Sequence, residues 1–289
     1  MRLKKIKNNE YLMTSDDIWV RDFTRSNSAY LDINTLSSEK DFSVFLENEI
    51  ENESGRCPLI DEDQFTYPNI AIVSDGYGFE ERQKVLASLP KNEVLIIGVN
   101  RSLAKWKLVG ATCPTEMKRS MGWYIVNNPY AEAVRFVPTS HRYFPRCIAS
   151  VRTNPEFLRR YEGNISLYVP TSERNYSGPS RHAKYCVDDY RNPICAAINL
   201  AFQFKVRKLL LFCCDDSFAD ERPNAELLEN GLYSYHPQQV SRRVIDANLF
   251  WLNKGKVKIG DYSSGIILEH GQYIPDEKDV LSFFKEDAK

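Results

Sequence analysis

Two adjacent carboxylates, Asp215 and Asp216, close an apolar run that reads Lys-Leu-Leu-Leu-Phe-Cys-Cys over residues 208–214. Hard carboxylate oxygens at the end of a buried strand can hold Mg²⁺ while the ion's other positions take phosphate and water, chemistry suited to phosphoryl and glycosyl transfer. Successive side chains of an extended chain point to opposite sides, so one of the two acids faces such a site. The same pair also reads as solvated turn residues, with Ser217 opening the next element.

A second candidate is the stretch Asn69 to Leu86, where an apolar run enters Asp75-Gly76-Tyr77-Gly78 and then a helical pattern. The third glycine of a dinucleotide fingerprint is replaced by Glu81, and the second strand closes on Asn100 instead of an acid, which disfavours NAD. The spacing also excludes a P-loop. What survives is a glycine turn before a helix, where free N–H groups could face an anion, or where the turn serves geometry and capping alone. The carboxylates of Asp75, Glu80 and Glu81 argue against bare phosphate and for a metal-bridged one.

The third candidate is the loop Thr171 to Pro193, rich in Ser, Gly, Pro and Asn, which carries Arg174, Arg181, His182, Lys184 and Arg191. A basic loop beside a nucleotide site could close over polyphosphate and supply charge-assisted hydrogen bonds. His182 could serve as general acid or base, as could His236. As a solvated connection the loop would do none of this.

The elements that must position these residues alternate in type. Strand patterns at Asn69 to Ser74, Glu93 to Asn100, "GWYIVNN", "RCIAS", "ISLYVPT", "RKLLLFCCDD" and "KVKIGDYS" are interleaved with helical ones at Glu80 to Leu89, "NPEFLRRYEG", "NPICAAINLAFQF" and "HPQQVSRRVIDANLFWLNKG". This predicts a doubly wound, mostly parallel α/β sheet of Rossmann-like type over residues 66–289. Residues 1–65 read as an N-terminal arm with a short helix at "DFSVFLENEI" and a linker at about 51–66, and such an arm packs either on a partner or on its own domain. Trp106, Trp123 and Trp251 read as core.

In such folds ligands sit beyond the carboxyl ends of the strands. The strand-closing residues are Ser74, Asp75 and Gly76; Asn100 and Arg101; Asn127 and Asn128; Arg152, Thr153 and Asn154; Thr171 and Ser172; Asp215 and Asp216; and Ser263 and Ser264. Almost all are small and polar, as a rim for phosphate and sugar oxygens requires, and polar residues also end strands for ordinary turn reasons.

Composition narrows the class further. With 43 % hydrophobic and 12 % aromatic residues, the 289-residue chain can bury a full core, and 38 basic against 39 acidic residues leave no global field to recruit nucleic acid. No apolar run approaches the roughly 20 residues of a membrane span, and no signal peptide is legible, so a cytoplasmic protein is expected. The seven cysteines lack C-x-x-C spacing, which fits reduced core thiols.

"NIAIVSDGYGF", "EVLIIGVNRSLAKW" and "NPICAAINLAFQFKVRKLLLFCCDDSF" resemble, in order and approximate spacing, the blocks of the family that includes the archaeal-type 6-hydroxymethylpterin pyrophosphokinases, with a more distant likeness to bacterial sialyltransferases. The resemblance covers about residues 67 to 265. It matches Asp75, Gly76 and Gly78 to the family's first turn, Asn100 to the second strand end, and Asp215 or Asp216 to the late acid. Phe79 and Glu80 stand where the family usually has Pro-Ser, and "YRNPICAA" replaces its Gly-rich lead into the late helix.

Together these readings give a nucleotide-dependent transferase for pyrophosphoryl or glycosyl transfer. Asp215, Asp216 and His182 are the expected catalytic residues, with Mg²⁺ on the two aspartates. Asp75, Gly76, Gly78, Asn100, Arg174 and Arg181 are expected to hold a nucleotide or nucleotide-sugar donor, the acceptor being a small molecule or glycan. The alternative is a catalytically degenerate domain that binds a protein partner, or its own copy, through residues 1–65.

Overall fold

Strands that are apolar at every position need cover on both faces, and the chain supplies it. In a computed structural model, Ile70 and Ile72 pack into one core layer while Ala71 and Val73 pack into the other, and Leu209 and Leu211 part from Leu210 and Phe212 in the same way. The structure describes residues 3–5, 10–13, 19–21, 39–53, 57–60, 67–90, 92–99, 101–106, 121–137, 144–170, 186–187, 189, 192–215, 217, 219–223, 225–228, 230–235, 242–249, 257–264 and 268–285.

Along the chain, β1 (Leu3–Lys5), β2 (Glu10–Met13) and β3 (Trp19–Arg21) precede helix α1 (Glu39–Glu53). The body opens with β4 (Asn69–Val73), two short helices α2 (Phe79–Arg82) and α3 (Lys84–Ala87), β5 (Val94–Val99) and α4 (Ser102–Lys105). It continues through β6 (Trp123–Val126), a 3-10 helix (Ala131–Phe136), β7 (Arg146–Ser150), α5 (Pro155–Arg160), β8 (Ile165–Pro170), β9 (Cys186–Val187) and α6 (Pro193–Gln203). Last come β10 (Lys208–Phe212), a hairpin of β11 (Ala225–Leu227) and β12 (Tyr233–Tyr235), helical residues 242–249 (α7), β13 (Lys258–Tyr262), β14 (Gln272–Tyr273) and α8 (Glu277–Lys285).

The central sheet runs β14-β13-β10-β4-β5-β6-β7-β8-β9, and each adjacent pair is parallel. The expected doubly wound α/β fold is therefore present. Helices α6 and α7 cover one face, through residues such as Ile194, Ile198, Val244 and Leu249, and α2 to α5 with α8 cover the other, through Phe79, Leu86, Trp106, Phe157 and Phe283. Pro193 and Pro155 stand in the first turns of α6 and α5, where a missing N–H costs nothing, and Asn192 and Asn154 accept the N–H groups of Ile194 and Glu156 as caps.

Three local expectations change. The single helix expected over 80–89 is broken at Gln83, whose side-chain amide donates to the Glu80 carbonyl at 3.2 Å. The arm contains a three-stranded antiparallel sheet, β1-β2-β3, where strands were not expected. The linker is partly structured: Leu59 bridges Leu167 in β8, and Ile60 is fully buried. Trp106 and Trp123 are core residues, while Trp251 lies outside the described residues. Cys57, Cys147, Cys195, Cys213 and Cys214 are free thiols, the last four buried. No helix among the described residues is long and apolar enough to cross a membrane.

Helix α1 docks on the chain's own body. Asn48 donates from its amide to the carbonyls of Pro129 (2.8 Å) and Arg152 (3.0 Å), and Asn52, one turn later, donates to those of Val151 (2.8 Å) and Thr153 (2.6 Å). Residues i and i+4 share a helix face, so both amides reach the loops that follow β6 and β7. Phe45 fills the same face under the Arg152 guanidinium, 4.9 Å from the ring centre.

Candidate functional site

Counting along the sheet, the chain runs outward from β4 through β5 to β9 and then returns to the other side of β4 as β10. Such a reversal leaves a crevice at the strands' carboxyl ends, because the connections from β4 and β10 depart in opposite directions. Here the crevice is a cleft of about 370 Å³, bordered by the turn Asp75 to Phe79, by Arg101 and Lys105 after β5, and by Ser217, Ala219, Asp220 and Arg222 after β10.

The cleft floor is laced across three strand ends. Ser74 N–H donates to the Phe212 carbonyl and Gly76 N–H to that of Cys213, each at 3.0 Å, while Cys213 N–H donates to the carbonyl of Tyr262. Cys213 adopts a left-handed backbone (φ 51°), a conformation that costs a non-glycine residue about 1 kcal/mol and that holds only where surrounding bonds impose it.

Asp215 is the clamp of this floor. Its Oδ1 accepts the N–H of Tyr77 at 3.1 Å and its Oδ2 that of Ser264 at 2.6 Å, so one buried carboxylate joins the turns after β4, β10 and β13. Charge-assisted bonds of this kind contribute about 1.5–3 kcal/mol each. They also explain Gly76, since a Cβ there would stand 1.9 Å from Asp215 Oδ1 and 2.5 Å from the Cys213 carbonyl. Gly78, at φ 72°, takes the left-handed position at the start of α2.

Beneath the clamp lies a fully buried ion pair. Arg242 of α7 bonds Asp261 of β13 and donates to the Cys214 carbonyl at 3.0 Å. Burial raises the Asp261 carboxyl above its ordinary value, opposed by the Arg242 charge. Burial likewise pushes the Cys213 and Cys214 thiols up, which keeps them protonated and unreactive beside the cleft.

On the cleft's other side, the Asp75 side chain is 4 % exposed and holds two cations, Arg101 through Nε at 3.0 Å and Lys105 through Nζ at 3.1 Å, which are themselves 62 % and 37 % exposed. A buried acid thus aims two solvent-facing cations. Arg222 borders the cleft from the segment after β10, and Glu80, Glu81 and Asp220 supply acids at its margin.

Of the residues singled out from sequence, Asp75, Gly76 and Gly78 border the cleft and Asp215 underpins it. Asp216, Asn100, Arg174, Arg181 and His182 lie outside the described residues. Each Asp215 oxygen already accepts a backbone N–H and Asp75 is held between two cations, while Asp216, the other expected Mg²⁺ ligand, lies outside the described residues. One other cluster among the described residues has ligand-like spacing, Asp246, Glu269 and His270, whose ligand atoms lie within 4.8 Å of one another. There both the His270 N–H and Nδ1 already meet Asp246, at 3.0 Å each.

Sequence reading passed over Lys105 and Arg222. Lys105 stands four residues after Arg101 behind a strand end, the spacing that puts two cations on one side of a helical turn, and that was the available signal.

No family model matches the chain, and no curated protein matches it. Among solved structures it is similar to the MAf glycosyltransferase from Magnetospirillum magneticum AMB-1, with a TM-score of 0.60 and 15 % identity over 86 % of this chain and 42 % of that one. The two chains share this α/β fold over the matched residues. At this identity the likeness is one of fold alone, and the chain spans less than half the length of that protein.

Proposed function

We propose that the chain is a nucleotide-dependent glycosyltransferase that seats the phosphate of its donor in the cleft between β4 and β10. The observation that carries this reading is the buried Asp75 carboxylate holding Arg101 and Lys105 at the one place where the strand order reverses. In glycosyl transfer an acceptor oxygen bonds the sugar's anomeric carbon as the bond from that carbon to the donor phosphate breaks. The acceptor proton passes to a base, for which His182, between β8 and β9 in sequence, is the proposed residue, and negative charge grows on the leaving phosphate. Cations already held in place stabilise that charge without reorganising. Arg101 and Lys105 are such cations, and no step requires a divalent ion on Asp215.

Calorimetric titration with CMP-, UDP- and GDP-sugars and with ATP, each with and without Mg²⁺, tests the reading. One sugar nucleotide is expected to bind, and Asp75→Asn, which frees both cations from their anchor, should weaken it about tenfold while lowering stability by only about 1 kcal/mol. Binding of ATP alone would move the reading to pyrophosphoryl transfer, and silence towards all of them would remove it.

A further inference from the structure

Buried polar side chains are nearly always hydrogen-bonded, so those that are not call for an explanation. Ser217 is such a residue. It lies 7 % exposed on the segment after β10, borders the cleft, and its hydroxyl makes no hydrogen bond to the protein. Two more hydroxyls in the same condition, those of Ser74 and Ser102, stand next in the chain to the cleft residues Asp75 and Arg101. By contrast, hydroxyls elsewhere at the same sheet edge are engaged: Thr153 donates to the Val126 carbonyl, and Ser263 accepts the N–H of Cys214.

Strands β5 and β10 flank β4 on opposite sides, so the segments after them approach the β4 turn from opposite directions. One brings Arg101 and Lys105, the other Ser217 and Arg222. A hydroxyl can donate to a phosphate oxygen and rotate to suit it, whereas a carboxylate in its place would repel the anion.

We propose that Ser217 is a ligand-binding residue whose hydroxyl hydrogen-bonds a phosphate oxygen of the donor, opposite Arg101 and Lys105. This rests on the cleft's being the donor site. It distinguishes a binding role from a structural one, because a hydroxyl without a protein partner adds nothing to the stability of the free protein.

The test uses the full chain and two variants, Ser217→Ala and the near-isosteric Ser217→Cys, titrated with CMP-sugar, UDP-sugar, GDP-sugar and inorganic pyrophosphate, alongside thermal unfolding without ligand. For the ligand that the unsubstituted protein binds, Ser217→Ala should weaken binding about tenfold, the size of one hydrogen bond to a charged group, with Tm unchanged or slightly raised. Weakening for UDP- or GDP-sugars and pyrophosphate places the contact on a diphosphate, and weakening for the CMP-sugar alone places it on a single phosphate. Equal binding by both variants and the unsubstituted chain overturns the role of Ser217 and leaves the donor site standing. A marked fall in Tm for both variants overturns it in favour of a structural role. Failure of the unsubstituted chain to bind any of the four overturns the donor site and this contact with it.

Discussion

The carboxyl edge of the sheet falls into two halves that treat the same problem in opposite ways. Beyond β6 and β7, the loop carbonyls of residues 129, 151, 152 and 153 all accept from Asn48 and Asn52, and α1 lies over them. Beyond β4, β10 and β13, a carboxylate takes the loop N–H groups instead, and a cleft with cations at its border is left open above it. Sequence gives both halves similar small polar residues. Where the chain satisfies its own loop groups from a packed helix, the edge is sealed; where one buried acid does so from below, the surface stays free for a ligand.

The sharpest way to break this comparison is at Gly76. Gly76→Ala would drive a methyl group into Asp215 and the Cys213 carbonyl, and a loss of about 4 kcal/mol is expected in chemical denaturation, with the cleft's ligand binding lost in any protein that folds. A loss under about 1 kcal/mol would show that the floor yields and is no clamp.

In the sealed half, Asn48→Ala with Asn52→Ala removes donors from four loop carbonyls. About 3 kcal/mol of stability should go, since unsatisfied buried acceptors cost about 1–3 kcal/mol per lost side chain. Sugar-nucleotide affinity should stay within about twofold of the unsubstituted chain. A parallel loss of affinity would mean that the two halves are coupled.

The smallest expected effect for any single group is a pH response shared by both halves. Burial raises the thiols of Cys147 and Cys195 as well as those of Cys213 and Cys214, and the hydroxyls of Tyr124 and Tyr168. Above the ordinary thiol value of 9.0 the unfolded chain releases protons that the native state keeps. The stability these groups contribute is therefore complete below that value and declines as pH rises through it, by about 1 kcal/mol for each thiol over the first unit. Denaturation midpoints at about pH 8 and pH 10 would check this, and equal midpoints would contradict it.

The strands were legible because seven of them are apolar runs closed by polar residues, and burial on both faces of a parallel sheet demands that composition. The Asp75 to Gly78 turn was legible as a candidate from its glycines. Its working was not, because the partners of Asp75 stand 26 and 30 residues away and their pairing depends on β5 lying beside β4. An acid that argued against phosphate when read alone becomes, once Arg101 and Lys105 are seated on it, a holder of positive charge. Asn48 and Asn52 gave no signal at all, since polar residues on a helix read as its solvent face until their acceptors are known.

Each margin of the nine-stranded sheet ends in a strand of two residues, β9 and β14, and Leu59 bridges β8 beside β9. An exposed strand edge is a template on which another chain can add itself, and its hold grows with the length of unpaired backbone it offers. Two residues offer only a few backbone groups on which a foreign strand could gain register. Among the described residues, the margins of this broad, apolar sheet thus give a foreign strand little length to add to, while its carboxyl edge, perpendicular to those margins, carries the cleft.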